Sequence, residues 1–273
     1  MKTQLNRIAI AALSLVAIAV GSNAQAQTTI DQNKALAGNI TPGDAAGFPI
    51  TLSVTGSYKL TGNLVVPANT RGIEIQADGV TLDLNGFSIS GPVTCNTSVS
   101  PPCTAPANAN MHGITNNNEG AVIRNGSVRG FAGSGIWMKL PGGVVVQDML
   151  LAYNSGSGIM FEPIGGGLLD GGARVTRVVA VQNGGSGIYI NGPATAVVNI
   201  DNSTASGNGL DGFSLSGGRG SISNCVAEAN RRYGLVADSF SLLRGSRFLN
   251  NAFGEISGAP RSGGGNLSGA TLF

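Results

Sequence analysis

Five residues offer the clearest chemistry in this sequence. Trp137 and Tyr189 could stack on sugar rings, with Lys139, Glu162 and Asn191 as polar partners, provided that strands line them up on one face. Other chemistries find little support. Cys225 would need a nearby base to act as a nucleophile, and the single histidine, His112, is far away in sequence and reads as a loop residue. Gly207-Asn208-Gly209-Leu210-Asp211-Gly212 matches G-x-G-x-x-G, but no helix pattern follows it to receive a dinucleotide. Glycine-rich calcium repeats need a nine-residue period with a regular Asp, which is missing. No cofactor and no metal-ligating set is expected.

The elements that must position these residues are repeats. Glycine followed by an apolar residue recurs at Gly72-Ile73, Gly113-Ile114, Gly135-Ile136, Gly158-Ile159, Gly187-Ile188, Gly212-Phe213 and Gly234-Leu235, commonly about 22 residues apart, and Gly254 follows. Asn154, Asn183, Asn208, Asn230 and Asn250 each stand four residues before their glycine. Asn125, Asp148, Arg177, Asn202, Asn224 and Arg244 stand ten before it, where turn chemistry is expected. Ile136 to Lys139, Ile159 to Glu162 and Ile188 to Asn191 alternate with period two. Pro141, Pro163 and Pro193 end those runs. Only Asp31 to Gly38 reads as a short helix.

Short strands and turns at this period predict an all-β parallel solenoid of about eight coils, with the asparagines as an internal structural ladder. Ile114, Ile136, Ile159, Ile188, Phe213 and Leu235 point inward. One outward row is then Glu74, Thr115, Trp137, Met160, Tyr189, Ser214 and Val236; the next runs Gln76, Asn117, Lys139, Glu162, Asn191, Ser216 and Asp238. A bland reading of this face is a solvated sheet with a Lys139–Glu162 ion pair. Glycoside hydrolysis needs two carboxyls about 5–9.5 Å apart. Glu162 and Asp238, three coils apart, are about 14 Å from one another by strand spacing. Asp148, Asp170, Asp201 and Asp211 fall at turn or loop positions without an acid in the neighbouring slot.

Gly-Ile turns, asparagine ladders and this coil length resemble the right-handed parallel β-helix of the pectate-lyase-like superfamily, over about residues 51–256. Gly56 to Leu64 and Val80 to Phe87 look like the first coils of exported bacterial members. The resemblance implies ligand binding along an outward strand face or under the adjoining loops. The acidic clusters of the family's polygalacturonases and lyases are not found, so no catalytic residue carries over, and epimerase-like members would need a histidine for which only His112 is available. If an enzyme, the protein would be of polysaccharide lyase or epimerase type.

Composition agrees. Charged residues make 11% of the 273-residue chain and apolar ones 42%, which excludes highly charged disorder. Lys2, Arg7, the apolar run Ile8 to Val20 and Ala24-Gln25-Ala26 read as a signal peptide over residues 1–26, too short to span a bilayer. Its removal lowers the Lys and Arg count from 16 to the 14 of Asp and Glu, which argues against nucleic acid as a partner. Export permits a Cys95–Cys103 disulfide across a proline-rich insertion at about 92–110, with Cys225 a buried thiol. Residues 27–50 read as an N-terminal cap segment and 257–273 as a Gly/Ser-rich tail. The expectation is a periplasmic or extracellular β-helix protein, without a transmembrane span, that binds or modifies a polysaccharide. The alternatives are a structural or adhesive solenoid and a periplasmic maturation factor resembling the β-helix protein of nitrous-oxide reductase assembly.

Overall fold

Nine short strands stack in parallel to form one face of a solenoid: Ile50–Leu52, Ile73–Ile75, Ile114–Asn116, Ile136–Lys139, Ile159–Glu162, Ile188–Asn191, Phe213–Ser216, Tyr233–Ala237 and Gly254–Gly258. The computed structural model describes residues 27–96, 103, 110–139, 142–162, 172–192, 197–216 and 219–273. The signal-like segment 1–26, Pro141, Pro163, Pro193, Asp170 and most of the proline-rich insertion lie outside the described residues. Nine strands in register make eight turns, so the fold is the right-handed parallel β-helix of about eight coils. Among the described residues no helix is long and apolar enough to cross a membrane.

The apolar period explains the core. Ile136 pairs with Ile114 and Ile159, Ile159 with Ile188, Ile188 with Phe213 and Phe213 with Leu235. All six side chains are fully buried. Each contributes about 1.5–3 kcal/mol of burial that a lone coil could not obtain. The remaining faces form a second, 17-stranded sheet. Its long strands Val122–Arg129, Val145–Ala152 and Ala173–Val181 bend at Asn125, Asp148 and Arg177, whose φ values are 62°, 56° and 51°.

Asparagine joins the coils at a second corner. The amide Nδ2 of Asn154 donates to Oδ1 of Asn183 at 3.0 Å, Asn183 to Asn208 at 3.1 Å, and Asn208 to Asn230 at 2.9 Å. The next rung is Asn251, not Asn250: Asn230 Nδ2 donates to Asn251 Oδ1 at 2.9 Å. Asn250 is exposed at φ 56°, in the left-handed corner slot that Tyr153, Gln182 and Ala229 fill in earlier coils. The turn residue expected at Arg244 is likewise Gly245, with φ 58°.

Both corrections come from one slip in phase. Tyr233 pairs with Gly254 and Leu235 with Ile256, so Glu255 occupies the glycine slot of the last coil. In the coils from Gly72 to Gly234 that slot has no room for a side chain. A Cβ on Gly187 would sit 2.7 Å from Gly212 O and 3.0 Å from Asn208 Nδ2, both belonging to the next coil. The last coil of this sheet has no such neighbour, and Glu255 uses the space to accept from Asn251 Nδ2 at 2.6 Å.

The ends are more ordered than their composition suggests. Thr28–Ile30 already pairs in parallel with Tyr58 to Leu60, ahead of the helix Gln32–Ala37, which Asp31 caps. Within 257–273, Arg261–Ser262 and Leu267–Ser268 extend the ladders, and Thr271–Leu272 folds back antiparallel. Cys95 and Cys103 are bonded. Their sulfurs rest against the carbonyls of Tyr153 and Gln182 at 3.0 and 3.3 Å, so the disulfide sits beside the asparagine corner.

Candidate functional site

The residue immediately before each anchor glycine belongs to one row. Backbone bonds run Gly72 N to His112 O, Gly113 N to Ser134 O, Gly135 N to Ser157 O, Gly158 N to Ser186 O, Gly187 N to Asp211 O and Gly212 N to Tyr233 O. The row therefore reads Arg71, His112, Ser134, Ser157, Ser186, Asp211, Tyr233 along the axis. Its side chains cap the turns of the next coil. Ser134 N donates to His112 Nδ1 at 2.9 Å, Ser157 N to Ser134 Oγ at 3.2 Å and Ser186 N to Ser157 Oγ at 3.2 Å. Asp211 N donates to Ser186 Oγ at 3.3 Å, and Tyr233 N to Asp211 Oδ1 at 3.1 Å.

This row borders the outward strand residues, and between them lies a cleft of about 530 Å³. Its walls include Arg71, His112, Ser134, Ser157, Trp137, Lys139, Met160 and Glu162. Trp137 is half-buried and held on two sides. Its Nε1 donates to Glu162 Oε2 at 3.0 Å, and His112 stacks on its ring with centroids 5.3 Å apart and planes at 12°. Lys139 Nζ sits 5.7 Å from the ring centroid, in cation–π range. Among the described residues the ion pairs are Arg71–Glu74, Asp83–Arg124, Asp148–Arg177 and Asp211–Arg232; the Lys139–Glu162 pair of the bland reading is not one of them. Glu162 bonds the indole instead.

His112 lines the cleft, which sequence reasoning did not foresee. It lies in the irregular segment before the strand Ile114–Asn116, as expected, but it is a buried member of the cleft wall. Burial, and secondarily the Arg71 cation, push its pKa down from 6.5 to about 4. At neutral pH the ring is therefore uncharged. With Nδ1 accepting the Ser134 N–H, its proton belongs on Nε2, a donor. The signal was in the sequence: His112 directly precedes Gly113, the slot that holds serine in the three following coils, each of which spells Gly-Ser-Gly-Ile.

The structure divides the five candidates. Trp137, Lys139 and Glu162 share the cleft. Tyr189 pairs with Met160 on the same outward row, but it lines a second hollow of about 390 Å³. Asn191 is exposed at the end of its strand and pairs with Ser216. Asp211, expected in a turn, is buried in the pre-glycine row and lines the second hollow. Cys225 is buried within a stack of Ser203, Ser246 and Asn266, and burial raises its thiol pKa to about 12, so no thiolate forms at neutral pH. In the cleft, Arg71, Lys139, the His112 Nε2–H and the serine hydroxyls supply donors. Glu162 is the one carboxylate on its described walls, and the indole already engages it. Such a lining can donate hydrogen bonds to the oxygen acceptors of a ligand.

Parallel coils, an internal amide ladder and a cleft on one outward face together define a solenoid that presents a side groove. The chain belongs to the right handed beta helix region family, whose model matches residues 27–221 and 112–268. No curated protein matches it. Among solved structures, a crystal structure of pectate lyase Pel9A is similar at 14% identity, covering 82% of this chain and 73% of that one, with a TM-score of 0.40.

Proposed function

We propose that this is an exported β-helix protein that binds a polysaccharide on the outward face carrying Trp137, Lys139, Glu162, Tyr189 and Asn191. The observation that carries the reading is the cleft at Trp137, where an aromatic ring fixed by Glu162 and His112 is surrounded by cationic and hydroxyl donors. Sugars need that combination: an apolar ring face to lie on and donors for their oxygens. Trp137 stays half-buried, so part of its surface is open to contact. The Cys95–Cys103 disulfide supports an oxidising compartment, in keeping with the signal-like N-terminus.

A glycan array probed with residues 27–273 tests this reading. At least one polysaccharide class is expected to bind, and Trp137→Ala is expected to weaken it by about tenfold or more. Trp137→Phe, which keeps a ring, should retain part of the affinity. An array without a hit, or a Trp137→Ala protein that binds as tightly as the parent, would discard the proposed face.

A further inference from the structure

The insertion climbs one corner of the solenoid a coil at a time. Val93 N donates to Gly130 O at 2.8 Å; Cys95 Sγ rests against Tyr153 O in the next coil at 3.0 Å, and Cys103 Sγ against Gln182 O in the coil after at 3.3 Å. Gly130, Tyr153 and Gln182 occupy the same left-handed corner slot. The first must be glycine, since a Cβ there would lie 2.8 Å from Gly91 O and 3.0 Å from Val93 O. Where the slot changes from this bare residue to the tyrosine ring, a third hollow of about 370 Å³ opens, with Ser90, Thr94, Cys95, Arg129 and Tyr153 on its walls. It shares no wall residue with the Trp137 cleft.

Two features of this hollow point to a ligand. The first is a cation without a counter-charge. Arg129 is exposed, bonds Ser90 Oγ at 3.3 Å and has no carboxylate partner among the described residues. Its outward row continues through Ala152, Val181 and Ser206 to the first acid, Glu228, four coils away or about 19 Å by strand spacing. The second feature is access to one sulfur of the disulfide. Cys95 lines the hollow, whereas Cys103 does not and is only 2% exposed.

We infer that the hollow is a thiol-exchange site that takes a small thiol bearing a carboxylate. The carboxylate lies against Arg129, and the thiolate sulfur bonds to Cys95 Sγ as the Cys95–Cys103 bond breaks. The electron pair of that bond leaves on Cys103 Sγ, which takes a proton from water. A second thiolate then attacks the sulfur of the first small thiol, releasing Cys95 and carrying both small thiols away as their own disulfide. The small thiol is oxidised, the protein disulfide is reduced, and the insertion loses its covalent closure. A neutral thiol lacks the Arg129 contact and a cationic one is repelled by it. The site is independent of the polysaccharide reading.

Reduction of residues 27–273 by 3-mercaptopropionate, 2-mercaptoethanol and cysteamine at low ionic strength tests this. Rates are taken per thiolate and divided by those for a small neutral disulfide, which removes differences in thiol basicity. The anionic thiol is expected to exceed the neutral one by about threefold or more, with the cationic one slowest. Arg129→Gln should bring the three together, and Arg129→Lys should keep most of the preference. Acid quenching, alkylation and peptide mass spectrometry should place the first adduct on Cys95. Equal rates for the three thiols, a preference unaltered in Arg129→Gln, an adduct on Cys103, or a bond that none of the thiols reduces would each overturn the inference.

Discussion

His112 and Trp137 are the only histidine and the only tryptophan in the chain, and they are stacked. This makes the protonation of one buried group measurable by itself. The folded pKa near 4 lies about 2.5 units below the ordinary 6.5, a difference of about 3 kcal/mol between the two protonation states. The unfolded chain binds this proton more tightly than the folded one. The corresponding stability is thus fully present above pH 6.5 and is lost as pH falls towards 4. Burial and the Arg71 cation oppose the new charge; Lys139 and Glu162 also face the cleft, and Glu74 is paired with Arg71. Protonation at Nδ1 would also set an N–H against the Ser134 N–H. In His112→Asn the amide oxygen can take the place of Nδ1 without titrating. Urea unfolding of both proteins from pH 7 to pH 4 should show the parent losing about 3 kcal/mol more than the variant, the titration of the shared carboxylates cancelling. Trp137 emission should fall over the acid end of the range in the parent alone, because an imidazolium quenches a stacked indole better than a neutral ring does. Parallel stability curves with an emission that ignores pH would refute the buried neutral histidine.

Two further perturbations address the scaffold. Asn183→Ala should cost about 1–3 kcal/mol, since it strands the Asn154 amide and backbone N–H that its Oδ1 receives; Asn250→Ala should cost less, about 1 kcal/mol at most from its left-handed backbone, and a larger melting shift for Asn250→Ala than for Asn251→Ala would reject the assignment of the rung to Asn251. Replacing Cys95 and Cys103 with serine opens a loop with a sequence separation of 8, which should lower unfolding stability by about 2.5 kcal/mol under oxidising conditions; a denaturation midpoint equal to the parent's would show that the bond does not hold the insertion.

The glycine-apolar period carried most of the fold, because close stacking leaves no room for a side chain at the anchor and so repeats the same residue coil after coil. It failed where that pressure ends. At the last coil of the site face a side chain is tolerated, Glu255 enters the slot, and the nearby Gly254 draws the eye one residue out of phase. Arg244 and Asn250 inherited the slip. The outward register followed from the same period, which brought Trp137, Lys139 and Glu162 together. What period two could not convey is how side chains lean along the axis. Glu162 reaches the indole of the previous coil instead of Lys139, and His112 from the coil before lies flat on that ring. Asp211 and His112 do lie in turn and loop segments, as read, but their burial was missed because it comes from a row that crosses the chain, not from their neighbours in sequence.

The last rung has a consequence for association. A stack of parallel coils has no intrinsic length: whatever the final coil offers upward, another chain's first coil could accept, and rods would join into fibres. Here Glu255 receives the final ladder amide, so that donor is withdrawn from any newcomer. On the adjoining sheet the antiparallel return of Thr271–Leu272 onto Leu267–Ser268 presents a strand of the wrong direction for continued parallel growth. One carboxylate and one reversal of the chain thus each remove a point at which another coil could add.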